Sequence, residues 1–90
     1  MRVSFDPAKA AWNLRKHNVS FADAAGVLDD PMALTIEDSD SQDERRFVSL
    51  GLSSTGVVLL VVYTEESDRY RLISARRASR REREHYESRI

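Results

Sequence analysis

The chain has no cysteine, which excludes disulfides, thiolate zinc sites and cysteine nucleophiles. It has three glycines and no Gly-rich phosphate loop, and it lacks the G-x-S-x-G elbow and the H-E-x-x-H pair. Its longest apolar run, Val57 to Tyr63, is far short of the ~20 residues needed to span a bilayer. Met1 to Phe5 hold no apolar segment of a secretory signal. The cytoplasm is therefore the expected compartment, with no membrane contact. There are two histidines, His17 and His85, far apart in sequence, whereas a metal site needs three or four converging ligands. Neither a metal nor a cofactor is expected. The acidic stretch Glu37–Glu44 lacks the glycine and ligand spacing of a calcium loop and reads as a solvated loop beside a sheet edge.

What is present fits one domain over residues 1–90. A chain of 90 residues buries only about 60–65% of the surface its unfolded form exposes, so the core must be small. Hydrophobic residues are 41% and charged residues 32%, too apolar for disorder and too charged for a membrane protein. The net charge of −1 alone argues against a nucleic-acid binder, but it averages over a split. Residues 1–68 carry 12 acids against 6 bases, and residues 69–90 carry eight arginines against three acids. Such asymmetry points to a charged partner.

Arg2–Phe5 alternates polar and apolar and predicts a short strand. Asp6–Pro7 is a helix start, and a helix from Pro7 to about His17 follows, with Asn18 as a left-handed stop. Ala8, Ala10, Ala11, Trp12 and Leu14 form its expected packing side; Lys9, Asn13 and Lys16 form the other. Ser20 with Asp23 starts a second helix that ends at Asp29–Asp30–Pro31. From Met32 the period changes to two. Strands are expected over Met32–Glu37, over Arg45–Ser53 with Arg46, Val48, Leu50 and Leu52 on one side, over Val57–Thr64 and over Arg69–Ala75. Val57–Thr64 is apolar on both faces, as a central strand should be. Ser79 with Glu82 opens a last helix to about Ser88. The order β-α-α-β-β-β-β-α describes an α+β fold: an antiparallel meander packed by two N-terminal helices, with a basic C-terminal helix.

Two segments carry candidate chemistry. Arg76, Arg77, Arg80, Arg81 and Arg83 crowd the end of the last strand and the start of the last helix. Arginine presents forked donors that suit phosphate oxygens. Pairs at i,i+4, Arg80–Glu84 and Arg83–Glu87, make a solvated, ion-paired helix the plainer reading, but they leave Arg76, Arg77 and Arg81 unexplained. Cations at a helix start also oppose its dipole. The helix has few apolar positions, Ala78, Tyr86 and Ile90, so loose docking or completion by another chain is expected. The second segment is Lys9, Asn13 and Lys16, with His17 at its margin. His17 suits either capping of the last helical turn or proton transfer. Trp12 and Tyr63 are able to stack on bases, but packing is the expectation for both.

Several runs match a known family in order: Phe5-Asp6-Pro7-Ala8-Lys9, Asn13 to Phe21, Asp29-Asp30-Pro31, Arg46-Phe47-Val48, Ile73-Ser74-Ala75-Arg76-Arg77-Ala78, Arg80-Arg81-Glu82-Arg83 and Tyr86-Glu87. From about residue 3 to 87 the chain resembles the BrnT toxins of the BrnT/BrnA type II toxin–antitoxin system. The family commonly has Trp where this chain has Phe5, and Gly where it has Asn18. The resemblance implies a RelE-like fold and a metal-free endoribonuclease that blocks translation. It implies neutralisation by BrnA, a ribbon-helix-helix antitoxin, in a heterotetramer that touches operator DNA only through the antitoxin. Carried over by position, Lys9, His17, Arg76, Arg77 and Glu82 are the expected catalytic residues. Asn13, Lys16, Arg80, Arg81 and Arg83 are the expected RNA contacts. Arg76 and Arg77 would hold the phosphate, His17 or Lys9 would transfer a proton, and Glu82 would orient an arginine or act as base. The rival expectation is a non-enzymatic module whose arginines dock an acidic protein or act only in operon regulation.

Overall fold

The computed structural model describes residues 2–38 and 45–90. Most of the acidic stretch read as a loop, residues 39–44, lies outside the described residues. The elements are β1 (Arg2–Ser4), α1 (Pro7–His17), α2 (Phe21–Ala24), a 3-10 segment (Ala25–Asp29), β2 (Leu34–Glu37), β3 (Arg46–Leu52), β4 (Val58–Glu66), β5 (Arg69–Arg77) and α3 (Arg80–Glu87).

Local chemistry sets these boundaries. Asp6 accepts from the Ala8 N–H at 2.9 Å, Pro7 occupies the first helical position, and Asn18 stops α1 at φ 56°. Ser20 accepts from the Asp23 N–H at 3.0 Å, but the Asp23 carboxylate turns away. It accepts from the Thr55 N–H (2.9 Å) and hydroxyl (3.0 Å), so only half of a capping box forms. The expected second helix is thus short and tightens into a 3-10 segment after Ala24. Gly26 lies in that segment, where a Cβ would come within 2.5 Å of the Ser54 nitrogen. The close approach of the β3–β4 turn is therefore possible only with glycine there.

The five described strands form one sheet in the order β1-β5-β4-β3-β2. β2 to β5 make the expected antiparallel meander, with β4 in the middle. β1 joins β5 in parallel, Arg2 beside Arg69 and Ser4 beside Arg71. A bulge shifts the β4–β5 register, with Val62 opposite Ser74 but Tyr63 opposite Leu72, leaving Ile73 as the extra residue. β5 runs two residues past the expected Ala75, because Arg76 and Arg77 continue the ladder opposite Leu60 and Leu59.

The helices cover both faces of the sheet. On one, Val19, Phe21, Ala24 and Val27 pack on Leu59, Val61, Tyr63, Leu72 and Ala75. On the other, Tyr86 of α3 packs with Leu50 and Val58, flanked by Leu34, Leu52 and Leu60. The expectation of loose docking for α3 is corrected here. Tyr86 is 1% exposed, and its hydroxyl donates to Asp30 Oδ2 at 2.5 Å. The same carboxylate accepts from the Leu52 N–H (2.8 Å) and the Met32 N–H (2.9 Å). One buried aromatic with a charged acceptor anchors a helix that is otherwise polar. Ser79 and Glu82 complete a reciprocal capping box at its start.

Candidate functional site

α1 lies along β5 with a different rotation from that expected: of its expected packing side, Ala10 packs against the core. Asn13 is the buried side chain, 2% exposed, whereas Trp12 and Leu14 are 54% and 48% exposed. The cause is the open edge of β5. Past Arg71 this strand has no β1 neighbour. Asn13 takes that neighbour's place: its Nδ2 donates to the Ala75 carbonyl at 2.8 Å, and its Oδ1 accepts from the Ala75 N–H at 3.1 Å. A second Nδ2 bond goes to the Val19 carbonyl at 3.0 Å. A carboxamide carries the same donor and acceptor as a peptide group, so it completes the ladder where the strand is missing. The expected role of Asn13 as an RNA contact is corrected: both of its donors are committed inside the protein.

This rotation sets the charged side chains around it. Lys9 and Lys16 project from exposed positions of α1, three residues before and four after the exposed Trp12. Lys16 Nζ lies 4.6 Å from the Trp12 ring centroid. Lys9 and Trp12 line a groove of about 370 Å³ whose far wall is Ile73 and Ser74 of β5. His17 is half-buried at the end of the helix, and Arg77 is exposed at the end of β5. Arg77 lines a hollow with Leu14, Asn18 and Val19, the residues at the C-terminal end of α1. The C-terminal end of the first helix and the end of the last strand therefore meet, and His17 is not among the residues that line this hollow.

Arg76 and Arg77 do not converge on one place. Successive strand residues point to opposite faces, so extending β5 through Arg77 separates them. Arg77 faces the α1 layer, while Arg76 turns to α3 and forms a two-pronged pair with Glu82, at 2.9 and 3.0 Å. The expectation that both clamp the same phosphate is corrected on this geometry. Glu82 also accepts from the Ser79 N–H at 2.8 Å. The Arg76 guanidinium, then the Ser79 N–H, hold its carboxyl at about 2. A general base works best with a pKa near the operating pH, so of the two roles open to Glu82 the orientation of Arg76 fits and the base does not. The Glu82 pKa is depressed, so its charge stabilises the fold above the unfolded value of 4.5, and that contribution is lost as pH falls toward 2. The pair is partly exposed, which limits the effect to about 1 kcal/mol. Glu82→Gln should lower the melting temperature by about 5 °C at pH 7. The gap from the parent chain should narrow between pH 4.5 and 2, and a gap independent of pH would refute the assignment.

On α3, Arg80 pairs with Glu84 at 3.0 Å, as the spacing predicts. The expected Arg83–Glu87 pair is not found among the ion pairs of the described residues. Arg81 and Arg83 are exposed. Among the described residues no three acids, histidines or cysteines gather as a metal ion would need. Trp12 and Leu14, expected on the packing side, are exposed, and Asn13, expected opposite, is buried; for Trp12 the sequence did hold a signal. Its i,i+4 spacing to Lys16 and i,i+3 spacing to Lys9 are the signals that mark it as part of a surface stripe.

Comparisons with known proteins bear on the family and the fold. Residues 5–82 match the family model described as "Ribonuclease toxin, BrnT, of type II toxin-antitoxin system". The matched stretch includes Lys9, Lys16, His17, Arg77 and the Arg76–Glu82 pair. Among solved structures, the chain is similar to the 1.1 Å crystal structure of the Brucella abortus ribonuclease toxin BrnT. The two share 23% identity with a TM-score of 0.69, over 89% of this chain and 99% of that one. This likeness speaks to the fold: one mixed sheet with helices on both faces. No curated protein matches at a significant level. The family match extends over most of the 90 residues, and on that ground the chain belongs to the BrnT family of type II toxin–antitoxin ribonuclease toxins.

Proposed function

We propose that the chain is a RelE-like, metal-independent endoribonuclease that blocks translation by cutting RNA in the cytoplasm. Its activity is held in check by a BrnA-like ribbon-helix-helix antitoxin, in a heterotetramer that meets operator DNA through the antitoxin. The observation that supports this reading is the junction of α1 and β5, closed by the Asn13–Ala75 bonds, with Lys9, Lys16 and His17 on α1 and Arg77 two residues past Ala75. All of these residues fall within the stretch matched by the family model.

RNA cleavage without a metal starts with attack of a 2′-oxygen on the adjacent phosphorus. The 2′-OH loses its proton, a 2′,3′-cyclic phosphate forms, the P–O5′ bond breaks, and the leaving 5′-oxygen takes up a proton. His17 or Lys9 serves proton transfer. Arg77 stabilises the charge that develops on the pentavalent phosphorus. Lys16 holds a neighbouring phosphate, and Arg80, Arg81 and Arg83 extend the positive surface along α3. Arg76, fixed by Glu82, supports the junction from the opposite face of the sheet.

A cleavage assay on purified protein tests the reading. His17→Ala and Arg77→Ala should each slow RNA cleavage roughly 100-fold while the melting temperature stays near that of the parent. Chelator should leave the parent rate unchanged. Parent-like rates in both variants would sink the site assignment. In cells, expression should arrest growth, and co-expression of the antitoxin should restore it. An absence of both arrest and cleavage at any concentration would favour the acidic-protein docking module instead.

A further inference from the structure

The ribonuclease reading leaves the indole on α1 without a task. Trp12 is the single tryptophan of the chain, and more than half of it is exposed. An indole in that position costs solvation and adds nothing to the core. Its surroundings are specific. The Lys16 ammonium sits over the ring at 4.6 Å. Lys9 and Trp12 line the groove against Ile73 and Ser74, where the edge of β5 away from β4 has no β1 neighbour and the strand carries its bulge.

This combination matches the chemistry of an unpaired nucleotide. A base presents a flat π-face that stacks on an aromatic ring, and the phosphates beside it meet ammonium groups. An acidic peptide would satisfy the lysines but leave the indole face unmatched. An apolar helix laid in the groove would bury two ammonium groups without partners.

We infer that Trp12, flanked by Lys9 and Lys16, is a stacking platform for an unpaired base of the RNA strand beside the α1–β5 junction. The inference rests on the ribonuclease reading. It adds that the bound substrate is single-stranded at this point, with one base seated on the indole and its phosphates on the two lysines. Recognition through a π-face tolerates every base, so the platform positions the strand and does not select its sequence.

The test uses a short 2′-O-methyl oligoribonucleotide, labelled at one end, which has no free 2′-OH and cannot be cleaved. Anisotropy of the label reports binding, and the intrinsic fluorescence of Trp12 reports stacking. The expected result is saturable quenching whose midpoint coincides with the anisotropy midpoint. Trp12→Ala should weaken binding about tenfold or more, and Trp12→Phe should keep most of the affinity. Melting temperatures should be alike in all three proteins, because the ring lies outside the core. The same sequence as a duplex should quench little. Binding by anisotropy without quenching, or an unchanged affinity in Trp12→Ala, overturns the platform; cleavage by the parent chain would then leave the ribonuclease reading standing. An abasic oligomer that quenches as fully as RNA also overturns it. No binding together with no cleavage overturns both.

Discussion

Replacing Asn13 with alanine is expected to destabilise the protein by about 3–5 kcal/mol. The substitution leaves the Ala75 N–H, the Ala75 carbonyl and the Val19 carbonyl without their partner at once. Each buried group left unpaired costs about 1–3 kcal/mol, and the site is too enclosed for water to replace all of them. For a domain with a total stability of about 5–15 kcal/mol, the loss is a large fraction of the whole. The melting temperature should fall by roughly 15–20 °C. Asn13→Asp separates hydrogen bonding from shape. It keeps the acceptor for the Ala75 N–H but loses both donors and places a charge opposite two carbonyls. It should be as damaging as alanine at pH 7 and milder in acid, where the protonated carboxyl regains one donor. If Asn13→Ala melts within a few degrees of the parent, the ladder-completing role of the carboxamide is wrong.

The second large effect is at Tyr86. Tyr86→Ala removes the largest side chain of the α3 contact and leaves a cavity under Leu50 and Val58, at a cost of about 3–5 kcal/mol. Tyr86→Phe keeps the packing and removes only the hydroxyl that donates to Asp30, at a cost of about 1.5–3 kcal/mol. Chemical denaturation of the two variants therefore divides the anchor into packing and hydrogen bonding. The pH dependence gives a separate check. Burial, reinforced by the bond to the Asp30 carboxylate, pushes the Tyr86 hydroxyl up to about 12. Its folded pKa lies above the ordinary 10.0, so the stabilisation is fully present below pH 10 and is lost as pH rises through 12. Tyr86→Phe should remove that alkaline loss. Burial alone would raise the Asp30 carboxyl, but bonds from the Leu52 N–H, the Tyr86 hydroxyl and the Met32 N–H bring it below its ordinary value. An alkaline transition that persists in Tyr86→Phe would show that another group controls it.

The elements whose ends are written in local chemistry were legible in the sequence. Asp6–Pro7, Asn18, Ser20 and the Ser79–Glu82 box mark boundaries through bonds that span two to four residues. The meander was legible because its alternation and turns are local too. The pairing of β1 was not, since alternation marks a strand but does not say which edge it joins or in which direction. The rotation of α1 was misread for a related reason. Apolar spacing favours turning Trp12 inward, but an open strand edge 62 positions away makes Asn13 the better buried residue. Arg76 and Arg77 were both assigned to phosphate through the family resemblance, with the last strand expected to end at Ala75. Once the strand includes them, alternation sends them to opposite faces. The charged character of both segments was legible, and their junction was not, because it depends on that same long-range contact.

The Asn13–Ala75 bonds also constrain the order of assembly. They close a loop of 62 residues, whose ends must meet against chain entropy before any bond forms. Contacts of such separation slow folding, whereas the caps and hairpins form early and locally. Lys9, Lys16 and His17 precede β5 in synthesis, so α1 can dock on its strand edge only after residues 69–77 have been translated. A nascent chain stopped before β5 therefore carries the cations of α1 without the surface they belong to. In hydrogen exchange, the Ala75 amide should report this docking directly, since its proton is held by α1 and not by a neighbouring strand.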